Sequence, residues 1–396
     1  MRSYLDHFLN SKRSIVIVFV LLGFLTSIQS ILSGDKTYGT DDHIYTKYNN
    51  YIIFKQSFHH LNQGQELYTA YPEEHWDLYK YTPTFAAFFG IFACFPDSIG
   101  LSLWNVLNAV LLVLGIFALP NLNFRTKNLI LIISLIELIT SLQNEQSNGL
   151  IAGLLILAFA LCERKQIFWA CLCIVFSGFI KIYGLAGLII FLFYPQKFKS
   201  ALYTLFWVIF LGLIPLIFVK SELYLSHLTD FMHLLTDDHS SSYGISVMGI
   251  LNSWFAWEGN KLFIALLGLL LFAIPFLRIK QYESVLFKQS ILASLLIWLV
   301  IFNHKAESPT YIIALAGIAI WYFQEKQNRL NTILLLLAIL LTSLSPTDLF
   351  PKIVRNTIIK PYHLKALPCI LIWIKLSRDL WLRDYSKREK EISSFQ

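Results

Sequence analysis

Apolar runs separated by short polar stretches set the pattern of this chain. Runs near 14–32, 98–119, 127–142, 149–162, 166–180, 182–195, 200–219, 261–278, 285–303, 309–324, 330–344 and 364–378 predict about twelve transmembrane helices. Several fall short of the about 20 residues that a full span uses, so the charges between them decide the topology. Arg125/Lys127, Arg164/Lys165, Lys197/Lys199, Arg278/Lys280 and Lys326/Arg329 form five basic loops. Loops rich in Lys and Arg stay in the cytoplasm. The polar stretches between them then face outside: 143–148, Lys181, 220–260 and 303–308. Both termini return to the cytoplasm, the second as a basic tail over 379–396. The fold class predicted is an all-α polytopic membrane protein, a single transmembrane domain over 1–396 in the cell membrane.

Residues 83–95 are apolar but short, and parity requires that they not cross. They read as a re-entrant or interfacial segment, a backbone that survives at membrane depth only when buried in protein. Two outer segments are long, 34–80 and 220–260, and both mix acids, histidines and aromatics with apolar residues. Tyr51, Phe54, Phe58 and Leu61 recur at helical spacing, which predicts a helix along the interface. No polar stretch is long enough for a soluble domain core, and there is no internal repeat.

Composition agrees with this reading. Of 396 residues 56% are hydrophobic and 14% charged, against about 25% charged in soluble domains. The net charge of +7 lies in short inner loops, so it reflects the positive-inside bias rather than nucleic-acid binding. Arg2, Lys12 and Arg13 precede the first apolar run, which is longer than a signal-peptide core and lacks a small-residue cleavage site. The five cysteines all sit in apolar runs, and Cys171 and Cys173 are too close for a CxxC pair. No metal or cofactor is called for, although a divalent ion is compatible with the sequence. Asp41-Asp42 is only a superficial DxD, and HExxH, Walker and GxGxxG motifs are absent.

Polar residues at membrane depth are costly and point to function. Here they gather on one side: Gln143, Gln146 and Asn148 at a helix end, Lys181 within the apolar run 176–184, and His304, Lys305 and Glu307 before a Ser308-Pro309 helix start. Each also has a plain structural reading. The amides can be interhelical glue, Lys181 can snorkel to headgroups, and acids of the first loop can be solvated surface groups. Asp41, Asp42, Glu73, Glu74 and Asp77 fall in that loop.

An ordered set of short motifs carries a resemblance. Asn49-Asn50-Tyr51 and Gly64-Gln-Glu-Leu-Tyr68 are followed by Lys80-Tyr81-Thr82-Pro83 and Leu103-Trp104-Asn105, then by Glu145-Gln146-Ser147-Asn148 and Phe179-Ile180-Lys181. Together they resemble glycosyltransferase family 87, most clearly over residues 45–200. The resemblance implies a type C glycosyltransferase fold with an active site at the outer face. It implies transfer, usually with inversion, of a sugar from a polyprenyl-phosphate donor, commonly polyprenyl-phosphate mannose, to a lipid or glycan acceptor. In that family a first-loop carboxylate serves as general base, and the matching position here is Asn50. An amide is no base.

Glycosyl transfer proceeds through an oxocarbenium-like transition state. A base must take the acceptor proton, and a cation must stabilise the departing phosphate. The catalytic candidates are therefore Asp41, Asp42 and His304, with Glu73, Glu74 and Asp77 behind them. Lys181 is the first choice for the phosphate, with Lys80 and His304 as alternatives. Tyr81, Gln146, Asn148 and Glu307 complete the expected substrate-binding set. Two other classes fit less well. A transporter would show inverted repeats or broken helices near mid-span. A non-catalytic assembly protein is compatible with Asn50.

Overall fold

A computed structural model describes residues 9–38, 43–237 and 242–393. The chain is nearly all helical and divides into two compact units. The first comprises 1–120, 139–188 and 196–239, the second 121–138, 189–195 and 240–396.

The first unit opens with α1 (Lys12–Leu32), whose N-cap Ser11 accepts from the Ser14 amide at 3.2 Å. A short antiparallel ribbon follows, β1 (Asp35–Thr37) pairing with β2 (Ile44–Thr46). The all-helical reading missed this ribbon. Next come α2 (Asn49–Gln63), α3 (Pro83–Ala93) and α4 (Asp97–Ala118). Then α5 (Phe124–Leu142) begins in the second unit and ends in the first. The first unit is completed by α6 (Asn148–Glu163), α7 (Ile167–Ile180), α8 (Lys197–Leu213) and α9 (Ser221–Asp237).

Helix α4 packs between α1 and α6. A Cβ on Gly153 would come within 2.4 Å of the Leu111 backbone, and one on Gly115 within 2.6 Å of the Gly153 carbonyl. Glycine at both positions lets the two backbones touch, the small-residue packing of membrane helices. Polar side chains add ties inside this stack. Asn105 donates to Ser27 Oγ at 2.9 Å and to the Leu142 carbonyl at 3.2 Å, and Asn108 Oδ1 accepts from the Leu150 amide at 3.0 Å.

Helix α2 has the expected spacing, and its apolar face packs on α3. Phe54 meets Tyr81, Phe85, Phe89 and Trp104 at ring distances of 4.9–6.0 Å. Helix α3 is an 11-residue element, buried along most of its length. At about 1.5 Å per residue it is far shorter than a bilayer core. Thr82 caps it, accepting from the Phe85 amide at 3.2 Å, and Pro83 opens its first turn.

The second unit contains α10 (Val247–Phe255), α11 (Lys261–Ala273), α12 (Val285–Ile301), α13 (Tyr311–Gln324), α14 (Arg329–Leu337), α15 (Leu367–Leu382) and α16 (Tyr385–Ser393). Helices α12 and α13 are buried nearly all round and form its centre. Helix α15 extends past the expected end of its run, carrying Asp379 toward the tail. There Arg383 and Arg388 meet Glu325 at 2.6 and 3.1 Å, and Gln281 donates to Asp384 at 3.1 Å. The tail thus joins the loops that contain Arg278 and Lys326.

Among the described residues three helices are long and apolar enough to cross a membrane: Lys12–Leu32, Asp97–Ala118 and Lys197–Ile217. Other apolar helices are shorter, among them α6, α7 and α12. The run 182–195 is a 3-10 helix over Ile182–Phe193, and 330–344 passes from α14 into a π-helical stretch, Ala338–Leu344.

Candidate active site

The site is assembled from three chain breaks in the first unit. The first is the loop between α5 and α6. Glu145 takes φ 49°, a left-handed turn that costs a non-glycine residue of order 1–3 kcal/mol. Its amide donates to the Leu142 carbonyl at 3.1 Å, and the Gln146 amide donates to the Ser141 carbonyl at 3.0 Å. This closes α5 as a Schellman-type end and sets Gln146 and Asn148 side by side.

The second break is at Lys181, the C-cap of α7, in extended conformation before the 3-10 helix begins. A Cβ on Gly184 would lie within 2.5 Å of Ser177, so the tight return of the chain needs glycine there. Lys181 Nζ donates to Gln146 Oε1 at 3.0 Å and to Asn148 Oδ1 at 3.1 Å. Tyr183 donates to the same Asn148 oxygen at 3.2 Å. Asn148 Nδ2 is buried without a hydrogen-bond partner.

The third break is the stretch before α3. Tyr81 donates to Gln146 Oε1 at 3.4 Å, and its ring centroid lies 5.7 Å from Lys181 Nζ. Thr82 donates to the Phe179 carbonyl at 2.5 Å, fixing this stretch to the end of α7. Tyr68 donates to the Tyr81 carbonyl at 2.8 Å.

Thus Tyr81, Gln146, Asn148 and Lys181 form one cluster, although they lie in three separate motifs of the sequence. Asn50 joins its edge by donating to the Asn144 carbonyl at 2.9 Å. The position matching the family's carboxylate therefore borders the loop that presents Gln146. Other expected residues lie apart from the cluster. Lys80 pairs with Asp77 at 2.8 Å at the surface. Glu307 is exposed and caps a turn in the second unit, where its amide donates to Thr310 Oγ1 at 3.3 Å. It, not Ser308, is the N-cap. His304 is half-buried in the second unit, its carbonyl against Gly244. Asp41 and Asp42 lie outside the described residues.

Glu145 was legible only as part of a motif, yet it is buried, accepting from Ser30 at 2.9 Å while its carbonyl accepts from the Trp104 indole at 2.8 Å. Burial pushes its carboxyl well above the usual range, against the opposing Ser30 hydrogen bond. The second unit holds a buried pair that sequence reasoning passed over. Lys365 Nζ meets both Glu137 oxygens at 2.8 and 2.9 Å and Ser308 Oγ at 2.8 Å. The signal was available, since Glu137 is the one acid in the apolar run 127–142. A third group, Glu66, His227 and Asp230, has the donor set of a metal site, its ligand atoms all within 4.8 Å of one another. Burial lowers the His227 pKa against the pull of Glu66 and Asp230.

A family model described as glycosyltransferase family 87 matches residues 79–301, more than half of the chain. The chain belongs to glycosyltransferase family 87. Comparison with curated proteins finds no match. Membership makes the protein a glycosyltransferase, with a sugar donor and an acceptor as substrates, and the long apolar helices suit an enzyme held in a membrane. The family 87 match covers Tyr81, Gln146, Asn148 and Lys181, and stops short of Asp41, Asp42, His304 and Glu307.

Proposed function

We propose that this glycosyltransferase moves a hexosyl group, mannosyl foremost, from a polyprenyl-phosphate sugar to a lipid or glycan acceptor at the outer face of the cell membrane. The observation that supports this reading is Lys181 held by two side-chain amides beside Tyr81. The two amide oxygens are neutral acceptors that hold the ammonium in place. In this reading the charge is directed at the donor phosphate, whose negative charge grows as the glycosidic bond breaks. The unspent Asn148 Nδ2–H offers a donor to a phosphate or sugar oxygen. Tyr81 and Gln146 contact the sugar. The polyprenyl chain brings its own anchor, so a multi-pass arrangement of about twelve spans, with both termini cytoplasmic, accommodates it from the bilayer side.

The acceptor hydroxyl loses its proton to a base other than Asn50. Asp41 and Asp42 lie in the same outer segment, and the imidazole of His304 is the side chain that most often accepts a proton in such transfers. At least one of Asp41→Asn, Asp42→Asn and His304→Ala is expected to slow turnover by about 10²-fold or more, with donor binding retained. The deciding assay is transfer of radiolabelled sugar from polyprenyl-phosphate mannose by the purified protein, with a total lipid extract as acceptor. Absence of both donor binding and transfer overturns the donor assignment. Full activity in all three variants removes these residues as the base.

A further inference from the structure

Away from the Lys181 cluster, the first unit carries a second polar constellation. Helix α2 ends at Gly64, which takes φ 68° and turns the chain, so that Glu66 comes beside α9. On α9, His227 and Asp230 are three apart and share a face. His227 Nδ1 lies 3.7 Å from Glu66 Oε2. The ligand atoms of all three residues lie within 4.8 Å of one another.

The imidazole supplies the second observation. The His227 side chain is 0% exposed, and neither ring nitrogen has a hydrogen-bond partner. Buried polar groups are nearly always hydrogen-bonded, so an imidazole left with both nitrogens unspent between two carboxylates marks a place for a ligand. Asp230 accepts from Ser226 at 3.3 Å. A cleft of about 610 Å³, lined by Glu66, Tyr68, Thr69, Asp230 and His233 among others, opens beside the group.

We propose that Glu66, His227 and Asp230 bind one divalent transition-metal cation, Zn²⁺ or Mn²⁺. One imidazole nitrogen and two carboxylate oxygens match the ligand preferences of these ions. Bonds of about 2.0–2.2 Å draw such ligands closer together than they stand here, a shift that Glu66, half-exposed on a loop, can make. Three protein ligands leave further positions to water from the cleft. The cation ties the loop after α2 to α9. That loop contains Tyr68, whose hydroxyl donates to the Tyr81 carbonyl at 2.8 Å. Metal binding therefore braces the stretch that carries Tyr81, and the proposal stands whatever sugar or acceptor the enzyme uses.

The full-length protein, purified in detergent and stripped with EDTA, is titrated separately with ZnCl₂ and MnCl₂. Bound metal is counted by mass spectrometry after gel filtration, and thermal unfolding is followed in parallel. One equivalent is expected to bind saturably to the parent protein and to raise its Tm. Glu66→Gln and Asp230→Asn are expected to fold without metal yet bind at least about tenfold more weakly, with no rise in Tm. Failure of the parent protein to take up either ion overturns the site. Parental affinity in both variants overturns it as well, by assigning the metal to histidines elsewhere.

Discussion

Two lysines interrupt apolar stretches of this protein, and their settings differ. Lys181 is half-buried at the break between α7 and a 3-10 helix, where its ammonium meets the amide oxygens of Gln146 and Asn148. Lys365 is sealed in the second unit, its ammonium shared between both oxygens of Glu137 and the hydroxyl of Ser308. It also lies 5.1 Å from the Tyr311 ring centroid. The described acceptors of the first are neutral amides at a chain break; that of the second is a buried carboxylate, which ties segments of one unit together. An intramembrane lysine is therefore not informative by itself, and the nature of its acceptors separates a chemical role from an architectural one.

The sharpest way to break this contrast is to remove one partner of the sealed pair. Glu137→Ala strands the Lys365 charge, which typically costs 3–5 kcal/mol, about the scale of a domain's whole stability. The folded yield and Tm in detergent should collapse; an unchanged Tm would deny the pair its architectural role. Lys181→Ala should do the reverse, with transfer falling by about 10²-fold or more, equivalent to about 2.7 kcal/mol of barrier, and little change in Tm. Parental turnover in that variant would leave Lys181 a snorkelling side chain. Replacing both sealed partners, Glu137→Met with Lys365→Met, should recover most of the stability lost by Glu137→Ala, because apolar pairs of similar volume often substitute for buried ion pairs. A double variant as unstable as the single one would show that the charges themselves specify the fold.

The smallest expected effect concerns Glu145. Its folded pKa is raised above the unfolded value of about 4.3. The folded state therefore holds a proton that the unfolded state releases, and the group's contribution is fully present below about pH 4.3 and is lost as pH rises toward the folded pKa. Glu145→Gln keeps the size and removes the titration. The Tm difference between variant and parent should grow in the variant's favour as pH is raised from about 4 to 8. A difference that stays flat with pH would place Glu145 in the same protonation state whether folded or not.

Much of this was legible in the sequence because it rests on local rules. Lys181 drew attention as a cation in an apolar run, and 143–148 as a polar helix end. Thr82-Pro83 carries the cap and first-turn pattern that starts α3. That three separate motifs share one cluster was not readable from spacing, because it depends on the Thr82–Phe179 and Tyr81–Gln146 contacts across long sequence separations. The apolar stripe of α2 was correctly helical, but its partner was not legible. Periodicity shows that a face is apolar without saying whether lipid or α3 covers it. Glu137 stood out as the one acid of its apolar run, but its pairing with Lys365, 228 residues away, leaves no local trace.

The contact of α4 with α6 bears on motion. At Gly115 and Gly153 the two backbones meet with no side chain between them, so neither helix can slide or rotate without a clash. The pair is a rail, and the Trp104 indole fastens the Glu145 turn to it. Whatever opening admits the sugar donor must be made by other elements, while the Gln146–Asn148 ledge stays still. Amide protons along residues 104–116 should accordingly be among the last in the first unit to exchange with solvent.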